Sequence, residues 1–198
     1  MNKMIGKAFM REACAAGWVL FERGSDMQMP EIETERLLIR STRESDGSAC
    51  LDIWLDDEMG KYMADPPRDK ADEAYLHFAV GIENDEGWYP MVVHHKETGD
   101  FLGTCSVVPM DDGTRWDFGY AVHKKFWRQG YATEILQKLI VLGREKGIKR
   151  FSAKVAKENV ASNAVLRKLG FGVWKDEGSF PKRCTDIVYA EYTYLLEV

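Results

Sequence analysis

The stretch Phe126-Trp127-Arg128-Gln129-Gly130-Tyr131-Ala132-Thr133-Glu134 lies between a segment of strand character and a strongly amphipathic helix. Gly130 allows a close approach of the backbone, and Ala132 is small enough to leave the first helical turn uncovered. The first amides of a helix have no partner within it, and the helix dipole adds about half a positive charge there. The stretch therefore predicts a cradle for a phosphate group.

The stretch does not specify which kind of phosphate-containing ligand it would bind. The stretch matches neither the Walker P-loop nor the GxGxxG fingerprint, so it does not indicate an NTPase or a dinucleotide site. A plain helix start with a glycine is the alternative that the stretch by itself leaves open.

The residues before this stretch predict an antiparallel meander. Three segments of strand character are separated by glycine-containing turns: residues 89–95, 101–108 and 115–122. Further upstream we expect one strand and two helices, over residues 36–40, 46–54 and 70–82. Ser45-Asp46 supplies a cap at the start of the first of these helices.

The residues after the stretch alternate between helix and strand. Residues 133–146 have the apolar period of a helix, and Gly147 stands where a C-terminal cap is expected. The following segments predict a strand, a short helix closed by Gly170, and two final strands, over residues 150–155, 160–169, 171–175 and 187–196. This order predicts an α+β domain with a mixed, mostly antiparallel central sheet flanked by helices.

The composition sets the class of protein. The chain has 198 residues, of which 45% are hydrophobic and 30% charged, so a disordered or collagenous chain is excluded. We expect residues 31–198 to form one domain and residues 1–30 to be an N-terminal extension, helical in composition, which packs on this domain or on a second copy in a homodimer. No apolar segment is long enough to span a membrane.

The cysteines and the charge indicate location and partners. Four scattered cysteines without metal-ligand spacing predict no structural metal site and a cytoplasmic protein. Residues 123–170 carry 12 basic and 3 acidic side chains, a net charge of +9, and the rest of the chain has a net charge of −14. The basic segment suits an anionic ligand, but it lacks any nucleic-acid-binding motif, so no nucleic acid is expected as a partner.

Three spaced motifs resemble the GNAT superfamily of acetyl-CoA-dependent N-acetyltransferases. Residues 127–132 are similar to its pyrophosphate loop, with Trp127 where Gln or Arg is usual, and Phe118-Gly119-Tyr120-Ala121-Val122 is similar to its fourth strand. Asn159-Val160-Ala161-Ser162-Asn163, ending in Lys168-Leu169-Gly170-Phe171, is similar to a motif of the branch that contains the ribosomal-protein N-terminal acetyltransferases. Three motifs in the right order are more specific than one.

The resemblance implies a GNAT fold in which the fourth and fifth strands splay apart around acetyl-CoA as the cosubstrate. Backbone groups of Tyr120, Ala121 and Val122 are then expected to face the pantetheine. The amides that are expected to hold the pyrophosphate belong to Arg128, Gln129, Gly130, Tyr131, Ala132 and Thr133. Asn159 and Asn163 complete the expected cofactor-binding residues, although capping of a helix is an alternative role for Asn159.

The resemblance also suggests catalytic residues. Many relatives have a tyrosine acid seven residues after the asparagine, but Leu166 occupies that position here. The ribosomal-protein branch places a serine near the CoA sulfur at the position of Ser162, so the resemblance implies Ser162 as the acid for the departing thiolate, with an ordinary hydroxyl of the first helical turn as the alternative. Asp117 is the expected base, with His94, His95 or a water relay as alternatives.

The sequence leaves the acceptor open. The acidic region of residues 46–82 could attract a cationic amine, although solubility alone explains most of its acidic residues. Tyr62, Trp88 and Tyr89 either line the acceptor cleft or only pack at loop ends. The predicted function is direct acetyl transfer to a primary amine, such as a protein N-terminal α-amine. A small-molecule amine, for example a polyamine or an antibiotic, and a non-catalytic acyl-CoA-binding domain are the alternatives.

Overall fold

The computed structural model describes residues 29–73, 75–76 and 87–198. The predicted helical extension therefore lies outside the described residues, except for Met29 and Pro30, which are not helical. Most of the helix predicted over residues 70–82 also lies outside them. Its described part begins with the 3-10 turn Arg68–Lys70.

Eight strands form one sheet in the order β1-β2-β3-β4-β5-β6-β8-β7. Their bounds are β1 Ile32–Glu33, β2 Leu37–Ser41, β3 Tyr89–His95, β4 Phe101–Met110, β5 Arg115–Val122, β6 Arg150–Ala156, β7 Gly172–Pro181 and β8 Val188–Glu197. All neighbours pair antiparallel except β5 and β6, which are parallel. The predicted mixed, mostly antiparallel sheet is confirmed.

Three α-helices that lie wholly within the described residues flank the sheet: α1 Gly47–Trp54, α2 Tyr131–Glu145 and α3 Val160–Lys168. Helix α2 buries one apolar stripe in the main core. The stripe consists of Ile135, Leu136, Leu139 and Ile140. Such a stripe is what a period of 3.6 residues produces on one helix face. Helix α1 packs on β4, where the Trp54 Nε1 donates to the Thr104 Oγ1 at 3.2 Å.

Several element bounds differ from the predicted ones. Helix α2 begins at Tyr131 rather than at residue 133, because Gly130 adopts the left-handed conformation that turns the chain into the helix. Strand β7 extends to Pro181, whereas its predicted strand ended at residue 175. Its long pairing with β8, interrupted by register shifts, extends it beyond the locally alternating residues.

The cap predicted at Ser45-Asp46 is also different in the structure. A 3-10 turn, Glu44–Asp46, precedes α1. The Asp46 carboxylate accepts two hydrogen bonds from the Arg40 guanidinium, at 2.7 and 2.9 Å, and one from the Arg43 amide at 2.8 Å. The bond from Arg40 holds the pKa of Asp46 below its ordinary value. Asp46 therefore ties the helix entry to β2.

Gly143 sets how closely α2 approaches the sheet. A Cβ atom at this position would lie 2.5 Å from the Phe151 Cε1 and 3.1 Å from the Trp116 Cε3. Both aromatic side chains are buried in the main core and have little freedom to move. The close contact between helix and sheet therefore depends on the absence of a side chain here.

We expect Gly143→Ala to lower the free energy of unfolding by about 1–2 kcal/mol, because overpacking a tight core outweighs the gain in helix propensity. Urea denaturation of both proteins measures the difference. Gln137→Ala, on the exposed face of the same helix, is the control, and its effect is expected within about 0.5 kcal/mol. A free energy of unfolding of Gly143→Ala equal to or above that of the wild type would contradict this prediction, because the aromatic side chains would then have moved to accept the methyl group.

Candidate active site

A gap opens where β5 and β6 stop pairing. The two strands are joined at only three positions, Arg115 with Arg150, Trp116 with Phe151, and Asp117 with Ser152. Beyond them β5 stays paired with β4 as far as Val122, and β6 stays paired with β8 as far as Ala156. The predicted splayed strands are therefore confirmed.

A cavity of about 730 Å³ lies in this gap. Its walls come from β5 and β6, the stretch before α2, the start of α3 and the loop after α1. The lining residues used below are Glu58, Met59, Tyr62, Tyr120, Ala121, Val122, Arg128, Gly130, Ala132, Thr133, Glu158, Asn159 and Ser162. One cavity thus connects the predicted phosphate cradle with Ser162.

The strand ladder decides which backbone groups of β5 face the gap. The His123 amide donates to the Leu102 carbonyl at 2.8 Å. Because such pairs alternate along an antiparallel ladder, Ala121 directs its backbone groups to β4, and Tyr120 and Val122 direct theirs to the gap. Of the three residues expected to present backbone groups, Ala121 lines the cavity by its side chain.

Trp127 engages one of these groups. Its indole Nε1 donates to the Val122 carbonyl at 2.5 Å. The side chain at the position where the family usually has Gln or Arg thus ties the end of β5 to the stretch before α2. The Val122 carbonyl is already satisfied by this bond, whereas Tyr120 has its backbone groups on the side of the gap.

The stretch before α2 presents a row of amides. Arg128 and Gly130 both adopt left-handed φ angles, +61° and +84°. The first amide that makes a helical hydrogen bond is that of Glu134, which donates to the Gly130 carbonyl at 3.1 Å. The amides of residues 128–133 donate to no other described residue. Together with the helix dipole they form a site suited to a phosphate group.

Glu134 holds this stretch against the turn between β1 and β2. Its carboxylate accepts hydrogen bonds from the Thr34 hydroxyl at 2.6 Å and from the Arg36 Nε at 2.8 Å. Burial acts to raise the pKa of Glu134, but these bonds hold it below its ordinary value. Arg36 also donates to the Gln129 carbonyl at 3.1 Å and lies 4.2 Å from the centre of the Tyr131 ring. Sequence reasoning missed Thr34 and Arg36, because nothing local connects them to residues about 100 positions away.

Helix α3 places the second motif. The Asn159 Oδ1 accepts from the Ser162 amide at 3.1 Å, so Asn159 caps the helix. Asn159 also lines the cavity, which leaves its expected contact with the cosubstrate a prediction. Ser162 lies in the cavity wall and Leu166, one turn further on, is fully buried.

Asn163 is not among the cavity-lining residues. It is buried, and its Nδ2 donates to the carbonyls of Ala156 and Asn159 at 3.1 and 2.7 Å. Its Oδ1 accepts from the Tyr194 hydroxyl at 2.8 Å. The structure therefore gives Asn163 a structural role, joining α3 to β6 and β8, in place of the expected contact with the cosubstrate.

The structure does not bring Asp117 to the cavity. Its carboxylate is buried in the paired part of β5 and β6, where it accepts a hydrogen bond from the Ser152 hydroxyl, which in turn accepts from the Arg115 Nη1 at 2.5 Å. Burial raises the pKa of Asp117. This arrangement corrects the expected position of the base, because the carboxylate fastens the two strands below the gap.

The two histidines are also outside the cavity lining. His94 lies beside Arg40, and its Nδ1 is 3.2 Å from the Gly99 carbonyl, in the turn after β3. The ring of His95 lies 6.2 Å from that of Tyr131. The structure therefore gives no support to either histidine as the base.

The loop after α1 contributes Glu58, Met59, Lys61, Tyr62 and Met63 to the cavity wall. Lys124 contacts this loop through its Nζ, which lies 3.3 Å from the Asp56 Oδ2 and 3.5 Å from the Glu58 Oε2. The buried Lys182, at the end of the β7–β8 hairpin, donates to the Gly60 carbonyl at 2.8 Å. The loop is thus held between the cavity's phosphate end and the last hairpin.

The aromatic residues expected at the acceptor cleft separate in the structure. Tyr62 lines the cavity, where its ring packs edge-to-face against Tyr189 at 5.4 Å. Trp88 packs against a smaller cluster with Leu55, and Tyr89 packs against the main core. Of the three, only Tyr62 contacts the cavity among the residues that the structure describes.

Cys105 offers no nucleophile. Its thiol is buried, and burial raises its pKa to about 12. A thiol becomes a nucleophile as its thiolate, so this side chain is inert at neutral pH. Over the described ranges, no three acidic, cysteine or histidine side chains cluster as a metal site would require, and no helix is long and apolar enough to cross a membrane.

Comparison with known proteins places this geometry in a family. The model of the Acetyltransferase (GNAT) domain matches residues 36–172. The uncharacterized N-acetyltransferase p20 of Bacillus licheniformis is 30% identical over 168 residues, which cover 80% of this chain and 93% of that protein. The chain therefore belongs to the GNAT family of N-acetyltransferases, which use acetyl-CoA.

Solved structures share the fold. RimL, a ribosomal L7/L12 alpha-N-protein acetyltransferase, aligns with a TM-score of 0.68 at 20% identity, over 91% of this chain and 100% of that one. The microcin C7 self immunity acetyltransferase MccE, in complex with acetyl-CoA and AMP, aligns with a TM-score of 0.65 at 16% identity, over 83% of this chain and 94% of that one. At identities this low, the two structures show that the chain shares their fold, and they do not show that it shares their substrates.

We expect Glu134→Gln to raise the KM for acetyl-CoA about fivefold and to change kcat little, because it weakens a charge-assisted hydrogen bond that holds the amides of the cradle. The KM is measured by release of CoA thiol, and affinity for CoA by calorimetry. Since the pKa of Glu134 is lowered, the same lock is intact above its ordinary pKa of 4.5 and is lost as the pH falls further below it.

Glu145→Gln is the matched control, because Glu145 is an exposed carboxylate at the other end of the same helix. An equal rise in KM for both variants would show that general charge, and not the contact with Arg36, determines the affinity.

Proposed function

We propose that the protein transfers an acetyl group from acetyl-CoA directly to a primary amine, with a protein N-terminal α-amine as the leading acceptor class. The observation that carries this proposal is the gap between β5 and β6, which is continuous with the free amides of residues 128–133. A long, thin ligand with a phosphate end and an acyl end matches that shape. Acetyl-CoA supplies the acetyl group as a thioester.

The residues of the cavity fit this cosubstrate. The amides of residues 128–133 hold the pyrophosphate, and Arg128 lines the cavity beside them. Tyr120 offers backbone groups along the gap for the amide groups of the pantetheine arm. Gly130 and Ala132 keep side-chain bulk out of the cradle, and the φ of +84° at Gly130 is a conformation that glycine adopts without strain.

The acceptor enters at the end of the cavity formed by the loop after α1. Glu58, on this loop, and Glu158, before α3, both line the cavity, and their carboxylates attract the ammonium form of an amine. Only the free amine attacks a thioester, so a proton has to leave first. We assign this step to water held by these two carboxylates, in place of Asp117.

Ser162 supplies the hydrogen bond to the departing sulfur. It is in the cavity wall, at the N-terminal turn of α3, where the helix dipole also favours negative charge. A CoA thiolate is a fairly stable leaving group, so stabilisation by a hydroxyl is enough, and a strong acid is not required.

RimL, which shares the fold, is described as an alpha-N-protein acetyltransferase, so the α-amine of a protein is the first acceptor class that we propose to test. A small-molecule amine is the second candidate. The two differ in what the open end of the cavity has to hold: a peptide runs out past Tyr62, whereas a small molecule ends there. An acyl-CoA-binding domain without turnover is the non-catalytic alternative.

The first test is release of CoA thiol from acetyl-CoA in the presence of N-terminal peptides, polyamines, aminoglycosides or amino acids. We expect amine-dependent release with one class, and with peptides above the others. Release that no amine accelerates, together with measurable binding of acetyl-CoA, would favour the binding domain.

With the accepted amine, Ser162→Ala is expected to lower kcat by about tenfold, below the usual contribution of a general acid, because the thiolate leaves readily. Acetyl-CoA affinity should stay within about twofold of wild type, since a hydroxyl facing the sulfur contributes mainly as charge develops there. Ser179→Ala, on the exposed side of β7, is the control. An unchanged kcat for Ser162→Ala would remove Ser162 from the mechanism.

A further inference from the structure

The side chain of Tyr120 lines the cavity beside Ser162, and the proposed reaction gives it no role. Its Oη lies 2.5 Å from the Ser162 Oγ and 3.4 Å from the Ser162 carbonyl. The two residues come from β5 and α3, 42 positions apart, and both line the cavity. The phenol thus reaches Ser162 from the sheet, one turn away from the buried Leu166.

We propose that Tyr120 is a positioning residue that orients the Ser162 hydroxyl toward the sulfur of CoA. The phenol donates its proton to Ser162, and the serine proton is thereby left to point into the cavity. This proposal rests on the proposed function, because it assigns the sulfur to the end of the gap beside Ser162.

Either hydroxyl can donate in this pair, and the proposal assigns the phenol as the donor because its proton has acceptors on Ser162. A phenol proton at this position has two acceptors on Ser162, its Oγ and its carbonyl oxygen. Burial raises the pKa of Tyr120 to about 12, so the phenol keeps its proton at neutral pH. A tyrosine that stays protonated is a permanent donor, and a serine that accepts from it keeps its own proton for another acceptor.

The role is hydrogen bonding and not proton transfer. A thiol is a stronger acid than a phenol of this kind, so moving the tyrosine proton to sulfur is unfavourable. In the reaction the C–N bond forms, the C–S bond breaks, and the electron pair stays on sulfur, where the Ser162 hydroxyl stabilises it. The proton of the amine leaves through water, and Tyr120 returns unchanged.

The test measures the acidity of the CoA thiol bound to the protein, by the ultraviolet absorbance of the thiolate as a function of pH. In the wild type we expect bound CoA to be a stronger acid than free CoA. In Tyr120→Phe its acid dissociation constant should fall about tenfold, because a charge-assisted hydrogen bond to the thiolate is no longer oriented. This measurement requires neither an acceptor nor turnover.

A double-mutant cycle separates orientation from packing. Ser162→Ala should change the bound thiol as Tyr120→Phe does, and the double variant should resemble Ser162→Ala alone, because both substitutions remove one hydrogen bond to sulfur. In turnover, kcat should fall in the same pattern while the KM for acetyl-CoA stays near the wild-type value. Independent, multiplicative effects would overturn the proposal, as would a bound thiol whose acidity Tyr120→Phe leaves unchanged.

Tyr192→Phe is the matched control. Tyr192 lies on β8, its ring packs against Tyr194 at 6.0 Å, and it is outside the cavity lining. Removing the phenol oxygen of Tyr192 should leave the acidity of the bound CoA thiol unchanged. If CoA binds but no amine is acetylated, the function fails while the thiol measurement still decides the role of Tyr120. If CoA does not bind at all, the proposed function itself is wrong, and the role of Tyr120 is overturned with it.

Discussion

The short parallel ladder between β5 and β6 is the constraint on which the site depends. Three paired positions hold the strands together, and the buried bonds from Arg115 to Ser152 and from Ser152 to Asp117 fasten the same end. A buried carboxylate without partners would be costly, so these bonds also keep the end of the sheet in one register. Beyond this point each strand follows its other neighbour and the gap opens.

A gap within a sheet exposes backbone groups that need partners. The indole of Trp127 satisfies the Val122 carbonyl, and the cavity gives the groups of Tyr120 access to a ligand. The fold thus produces a binding groove from an interruption of its own hydrogen-bonding. The same interruption brings the start of α3 close enough for Ser162 to contact Tyr120.

The phosphate end of the groove is held by long-range polar contacts. Arg128 and Gly130 adopt left-handed backbone before α2, and Glu134 ties this stretch to Thr34 and Arg36. A cradle of amides binds anions well only if it is rigid before the ligand arrives, because ordering it on binding would consume affinity. The contacts of Glu134 with the turn between β1 and β2 supply that rigidity.

The sequence by itself determined the order of the strands and helices except for the two-residue β1, the presence of a helix after the phosphate cradle, the GNAT resemblance and the absence of a tyrosine at Leu166. These features follow from local patterns: apolar periods, glycines that end helices, and motifs a few residues long. Only the tertiary structure decided that Asp117 fastens two strands below the cavity, that Asn163 joins α3 to the sheet, and that Tyr120 and Glu134 act through partners 42 and about 100 residues away. The reason is physical: burial and hydrogen-bond partners are set by chain segments that meet only after folding, and no local pattern records them.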